Sequence, residues 1–205
     1  MNKVNRRNSW WLWGDGALYL VLCGLFFAPI AVPYKLAYPL VLLTLVSLVK
    51  GRPLLTVALA LSALGDFCGA SGELLLQIGA FSVAQVCYLL LIACGLPRRS
   101  ARQIVLAALL PVALSLVAAV AILPAVEMGA VKVGVVLYAL LIGAMTTLAL
   151  LSQRWSVRMG AMLFMLSDFT LAYAIFVTPA PPLLHSSLAL YFVAQWLLWL
   201  GLRHR

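Results

Sequence analysis

The sequence predicts an all-α polytopic membrane bundle of eight transmembrane helices, built from two parallel four-helix repeats within a single domain over residues 1–205. Composition points there first: the chain is 65% hydrophobic and only 9% charged. Apolar runs of membrane-spanning length also recur from Leu18 to Leu200, where a soluble domain would interleave polar faces at helical or strand spacing. Finally, two aspartates stand inside long apolar segments in matching surroundings, Leu64-Gly65-Asp66-Phe67 and Leu166-Ser167-Asp168-Phe169. No Ser/Gly/Pro-rich linker or low-complexity tract divides the chain.

Hydropathy read against Gly, Pro and charge punctuation places the spans at 14–30, 36–50, 53–70, 73–95, 102–123, 129–151, 157–178 and 183–202. The first follows a basic start and Trp10, Trp11 and Trp13, which with Trp196 and Trp199 suit an aromatic belt at the cytoplasmic interface. Pro39 lies early in span two and Pro111 early in span five, while spans three and seven carry the aspartates. The loops then sort by charge. Lys3, Arg6, Arg7, Lys50, Arg52, Arg98, Arg99, Arg102, Arg154, Arg158, Arg203 and Arg205 fall on one side, and only Lys35 and Lys132 on the other. By the positive-inside rule both termini are cytoplasmic, as expected of an integral protein of a bacterial inner membrane. The net charge of +9 is thus a topology signal, with a secondary attraction to anionic membrane lipid. Nucleic acid is not an expected partner, because the cations are spread over five short segments. The stretch Lys3 to Ala31 also has the outline of a cleaved signal peptide, but cleavage would leave an odd number of spans and spoil the charge alternation.

The aspartate motif has a duplicated companion. Phe81-Ser82-Val83-Ala84-Gln85 follows Asp66, and Tyr191-Phe192-Val193-Ala194-Gln195 follows Asp168 at a longer interval that the Pro-rich loop Thr178 to His185 absorbs. The aspartates lie on spans three and seven and the glutamines on spans four and eight. An even offset gives two halves of like orientation, repeat one over 14–95 and repeat two over 102–202, related by an axis along the membrane normal. Counting about 1.5 Å per residue puts both aspartates near the midplane or slightly into the outer half. Asp66, Gln85, Asp168 and Gln195 are therefore expected to line a central site between the halves.

Polar groups in membrane helices often serve only as interhelical hydrogen bonds, worth on average about 0.6 kcal/mol. That role stands beside the functional one for either glutamine. For the aspartates it is a poor account: a carboxylate near mid-bilayer costs at least about 2.5 to 3.5 kcal/mol on insertion scales, and an amide would supply the same bond more cheaply. Other chemistries have less behind them. Cys23, Cys68, Cys87 and Cys94 show no metal spacing and sit in apolar spans as small hydrophobes. His185 beside Ser186 lacks a Gly-x-Ser-x-Gly turn and reads as a solvated loop residue, His204 belongs to a basic tail, and Glu73 and Glu127 are interfacial charges. No metal or cofactor is called for.

The stretches Leu59-Ala60-Leu61-Ser62-Ala63-Leu64-Gly65-Asp66-Phe67 and Ile78-Gly79-Ala80-Phe81-Ser82-Val83-Ala84-Gln85-Val86-Cys87-Tyr88 resemble the YhhN or lysoplasmalogenase family. So do Gly160-Ala161-Met162-Leu163-Phe164-Met165-Leu166-Ser167-Asp168-Phe169-Thr170-Leu171-Ala172 and the closing Tyr191-Phe192-Val193-Ala194-Gln195. The resemblance spans nearly the whole chain. At Gln85 the family more often shows His. Where it has a Lys-Pro pair opening span two, this chain has Tyr38-Pro39, with the cation a turn earlier at Lys35.

The resemblance implies hydrolysis of the vinyl ether bond of lysoplasmalogens to a fatty aldehyde and a glycerophospho-alcohol, with Asp66 and Asp168 as the catalytic pair and a lysophospholipid or ether lipid as substrate. Such chemistry needs an acid to protonate the alkene carbon, stabilisation of the oxocarbenium ion and a water to attack it. Two neighbouring carboxyls meet these needs when one keeps a proton and the other is ionised, a division of labour that glycosidases use on a related cation. Gln85 and Gln195 would orient water or hold the carboxylates; Tyr88, Tyr173 and Tyr191 would add hydrogen bonds; Lys35 would bind or orient substrate. A small transporter or proton-coupled carrier is the alternative, since parallel repeats and midplane acids describe that class too. Matched Gly or Pro breaks in the two halves would favour it, and no such pair interrupts the aspartate helices.

Overall fold

The computed structural model describes the backbone of residues 3–204 and the side chains of residues 13–204. The expectations for the side chains of Lys3, Arg6, Arg7, Trp10 and Trp11, and for Arg205, lie outside the described residues. The chain is 81% helical and forms eight α-helices with no strand among the described residues. They are α1 (Lys3–Phe27), α2 (Tyr38–Val49), α3 (Pro53–Ala70), α4 (Leu74–Ala93), α5 (Ala101–Ile122), α6 (Ala130–Leu150), α7 (Trp155–Phe176) and α8 (Pro181–Leu202), with a single 3₁₀ turn at Leu123–Ala125 after α5. Six of them, α3 to α8, are long and apolar enough to cross a membrane, which makes this an integral membrane protein. The apolar part of α1, Trp13–Phe27, and all of α2 are shorter. The 12 residues of α2 rise only about 18 Å at about 1.5 Å each, and residues 28–37 run as a loop where span one was expected to end.

Local chemistry explains the boundaries. Pro53 and Pro181 open α3 and α8, and Pro39 sits in the first turn of α2, where a missing N–H leaves no helical bond unmade. Ser100 and Gln103 close a capping box on α5: Gln103 N donates to Ser100 Oγ at 3.3 Å and Ser100 N to Gln103 Oε1 at 3.0 Å. Between α3 and α4, Gly72 takes φ +80°, a left-handed turn that glycine enters without steric cost, and this reverses the chain within three residues. The two helices therefore pair antiparallel.

Inside a bilayer, lipid tails are as apolar as side chains, so helices associate through close packing and hydrogen bonds rather than by escaping water. The contacts reflect this. At Gly160 on α7, an added Cβ would lie 2.9 Å from the Leu198 backbone nitrogen and 3.1 Å from the Ala194 carbonyl oxygen of α8. Ala58, Ala84, Ala149, Ala161 and Ala194 are fully buried. The most extensive pairings are α7 with α8 and α3 with α4; α4 also packs on α6, α2 on α3, α5 on α6, α6 on α7, α1 on α2, and α2 on α8. Leu43, Leu59, Tyr88, Phe164, Met165, Leu198 and Trp199 fill the centre.

One end of the bundle is held by arginines. Arg99 donates to the Leu151 carbonyl at 2.7 Å, Arg154 to that of Gly201 and Arg158 to that of Ser152. These carbonyls lie at or just beyond the C-terminal ends of α6 and α8, where orphaned oxygens and the helix dipole attract cations. Lys50 pairs with Asp15 at 3.0 Å and lies over the Trp199 ring, as does the Arg203 guanidinium. Partial burial and the charges of Arg203, Arg154, Arg52 and Lys50 hold the His204 imidazole below its ordinary pKa.

Candidate functional site

A cavity of about 440 Å³ enters the bundle from the end opposite the arginines. Its mouth is formed by Tyr34, Lys35 and Leu36 of the α1–α2 loop, by Gly69 and Ala70 at the end of α3, by Leu74 and Gln77 at the start of α4, and by Ile175, Phe176 and Leu184. Its wall is apolar, with Phe26, Ile78, Phe81, Val135, Leu171 and Leu188. Asp66, Asp168, Tyr138 and Tyr191 are set into that wall. Asp66 lies one helical turn before the end of α3 and Asp168 two turns before the end of α7, about 6 and 12 Å from those ends, so both stand below the mouth.

Each carboxylate is held by a tyrosine from another helix. Tyr191 Oη on α8 donates to Asp66 Oδ2 on α3 at 2.9 Å, and Tyr138 Oη on α6 donates to Asp168 Oδ2 on α7. The Tyr191 ring is itself fixed, meeting Phe81 and Phe164 edge to face at 6.0 and 5.5 Å. Behind Tyr138 stands Gln85, whose Nε2 donates to the phenol oxygen at 3.4 Å. Behind Tyr191, Tyr88 Oη donates to Gln195 Oε1 at 2.8 Å. Asp66 is only 2% exposed, whereas Asp168 is partly open.

Local sequence explains the placement. Gly65 presents bare backbone to Phe81, whose ring would lie 2.7 Å from a Cβ there, and Gly69 does the same for Gln77. These two glycines bring α4 onto the face of α3 that carries Asp66. At the position that matches Gly65 in the second Asp-Phe motif stands Ser167. Its hydroxyl donates to the Ser187 carbonyl at 2.8 Å and the Ser187 hydroxyl donates back to the Ser167 carbonyl at 2.8 Å, fastening α7 to α8 beside Asp168.

The expected site residues divide into three groups. Asp66, Asp168, Tyr191 and Lys35 line the cavity. At its mouth Lys35 Nζ donates to the Ala28 and Ile30 carbonyls at 2.7 and 3.1 Å, which fixes the ammonium beside the opening. Gln85, Gln195 and Tyr88, expected at the cavity surface or against the carboxylates, are instead fully buried behind the wall. They meet the tyrosine layer, because both glutamines point into the helix packing rather than toward the opening. Tyr173 is 37% exposed and outside the cavity lining, since five residues beyond Asp168 it has turned onto another face of α7. Tyr138 and Gln77 were missed. Neither belongs to a duplicated motif, but a lone phenol inside the apolar run Val135-Val136-Leu137-Tyr138-Ala139 carries a hydroxyl that needs a buried partner.

Two carboxyls set into the wall of one apolar cavity, each fixed by a phenol, can hold and exchange protons with a bound molecule that has an apolar body. No curated protein and no solved structure matches the chain. The family model described as the YhhN family matches residues 24–202, nearly the whole length, with both aspartates and both tyrosine partners inside the match, and the chain belongs to that family.

Proposed function

We propose that the protein is a membrane-embedded lysoplasmalogenase-like hydrolase, cleaving the vinyl ether of lysoplasmalogen-type lipids to a fatty aldehyde and a glycerophospho-alcohol. The observation that carries this reading is the placement of Asp66 and Asp168 in the wall of one apolar cavity. Protonation of the alkene carbon by one carboxyl gives an oxocarbenium ion. The other carboxylate stabilises it and deprotonates the attacking water. The apolar wall suits an alkenyl chain, and the Lys35 ammonium at the mouth suits the phosphate of a lysophospholipid. Membership in the family supports the same chemistry.

In this reading all eight helices traverse the bilayer, α1 and α2 with help from the adjoining loop, and residues 14–95 and 102–202 are two parallel repeats. The neighbour relations are compatible: α1–α2, α2–α3 and α3–α4 are answered by α5–α6, α6–α7 and α7–α8, and α4–α6 by α8–α2. Both termini lie in the cytoplasm and the cavity opens to the other side of a bacterial inner membrane, as the cation asymmetry suggests.

The test is release of fatty aldehyde from a lysoplasmalogen by purified protein in detergent or liposomes, with Asp66→Asn and Asp168→Asn as controls. Protein that is inactive on vinyl ethers yet moves a solute across liposomes in an aspartate-dependent way would overturn the hydrolase in favour of a carrier. The helices bearing the aspartates, α3 and α7, run without a break, unlike the discontinuous helices of many carriers.

A further inference from the structure

The two aspartates are chemically alike but not equally supported. Asp168 receives its phenol proton from Tyr138, and the Tyr138 oxygen in turn accepts from Gln85 Nε2. A phenol that accepts a hydrogen bond becomes a better donor, and its own proton finds no acceptor among the described residues other than Asp168. The chain Gln85–Tyr138–Asp168 therefore favours negative charge on Asp168, which is also the more open of the two. Asp66 accepts from Tyr191 alone, at 2.9 Å, and no second donor reinforces that phenol among the described residues. Asp66 is almost wholly enclosed, where a neutral acid costs far less to bury than a carboxylate. Its Oδ1 is left without a hydrogen bond among the described residues and is free to carry a proton.

Resting on the hydrolase reading above, we propose that Asp66 is the general acid, that Asp168 is the carboxylate that stabilises the cation and activates water, and that Tyr138 and Gln85 are positioning residues that keep this division. The cycle closes. The Asp66 Oδ1 proton moves to the alkene carbon distal to the ether oxygen, the π electrons form the new C–H bond, and positive charge is shared between the adjacent carbon and the ether oxygen. Water adds to that carbon and gives its proton to Asp168, forming a hemiacetal. The hemiacetal hydroxyl returns a proton to Asp66 as its C–O bond to glycerol breaks, and Asp168 protonates the departing oxygen. One water is consumed, one aldehyde and one alcohol are released, and both aspartates regain their starting states.

The roles separate in D₂O. Without Asp168 the cation still forms but is trapped slowly, so it returns to alkene and exchanges hydrogen on the way. Without Asp66 it does not form. Lysoplasmalogen is incubated with each purified variant in D₂O and the unreacted lipid is analysed by mass spectrometry. Both Asp168→Asn and Asp66→Asn should release aldehyde at least about 100-fold more slowly, but only Asp168→Asn should deuterate the alkene carbon of recovered substrate. Tyr138→Phe keeps the ring and should reproduce the exchange of Asp168→Asn with a roughly 10- to 100-fold slower release. Tyr191→Phe should slow release without exchange. Exchange with Asp66→Asn but not Asp168→Asn would reverse the assignment. Exchange in both or neither of the asparagine variants, or a Tyr138→Phe that slows release with no exchange, would also overturn it. If the unmodified protein releases no aldehyde, the hydrolase reading itself has failed.

Discussion

Ser167 and Ser187 exchange hydrogen bonds, each hydroxyl donating to the other's backbone carbonyl at 2.8 Å. The pair joins α7 to α8 one residue before Asp168 and one helical turn before Tyr191, the partner of Asp66. A single fastening thus sets the height of both carboxylate settings.

Ser167→Ala and Ser187→Ala should each lower stability by about 1 kcal/mol, the net worth of a typical buried hydrogen bond. The double variant should cost less than the sum if the pair acts as a unit. Thermal unfolding in detergent, arranged as a double-mutant cycle, measures the coupling; strictly additive shifts would show two independent bonds.

Gly160→Val should be far more damaging. The new side chain meets the Leu198 nitrogen and the Ala194 carbonyl, backbone atoms that cannot rotate aside. Separation of α7 from α8 would appear as loss of monodisperse protein in detergent or a melting temperature many degrees lower. Gly79→Val, where a Cβ meets nothing within 4 Å, is the tolerated control.

Replacement of either aspartate by asparagine should reduce vinyl ether hydrolysis by at least about 100-fold while leaving the melting temperature close to that of the unaltered protein. Asparagine keeps the size and the hydrogen bond from the phenol but removes proton exchange. Steady-state aldehyde release beside an unfolding curve separates loss of chemistry from loss of fold.

The reasons for what sequence made legible are physical. Helix existence, and most boundaries, follow from apolar length and from Pro, Gly and Arg punctuation, so α3 to α8 fall close to their expected places. The shortness of α2 was hidden because Leu36 and Ala37 continue the apolar run as turn rather than helix. Asp66 and Asp168 stood out because an acid in an apolar segment carries a cost whatever surrounds it. Of the groups that touch them, Tyr191 was among the expected hydrogen-bond donors and Tyr138 was not. The glutamines shared the duplicated motif, yet hydrogen bonding to the carboxylates fell to Tyr191 and Tyr138, and the choice depends on how α6 and α8 rotate about their axes. Tyr173 failed for the same reason, one helical face away.

His204 offers a check on the arginine-rich end. With part of its surface covered and cations around it, the imidazole should titrate below the usual midpoint of about 6.5. Removing a neighbour with Arg154→Gln should move the midpoint upward, because the charged form loses a repulsion. An NMR titration of the imidazole reads this; a downward movement would contradict the placement.

Sidedness is open to direct measurement. Single cysteines at Arg98 and Lys35, in a background whose native cysteines are replaced, should label from opposite sides, the first from the cytoplasm and the second from outside. Labelling of both from one face would overturn the orientation drawn from charge.

Only 6% of the apolar window in α5 is buried, and Leu109, Leu110, Leu116, Val117 and Val120 face outward. Where such a surface meets lipid tails instead of neighbouring side chains, it makes few demands on shape: leucine, valine or isoleucine serve equally well there. Among the described spans α5 is therefore the one whose spelling can drift most freely, and a place where a spectroscopic probe would report on the bilayer without disturbing the carboxylates.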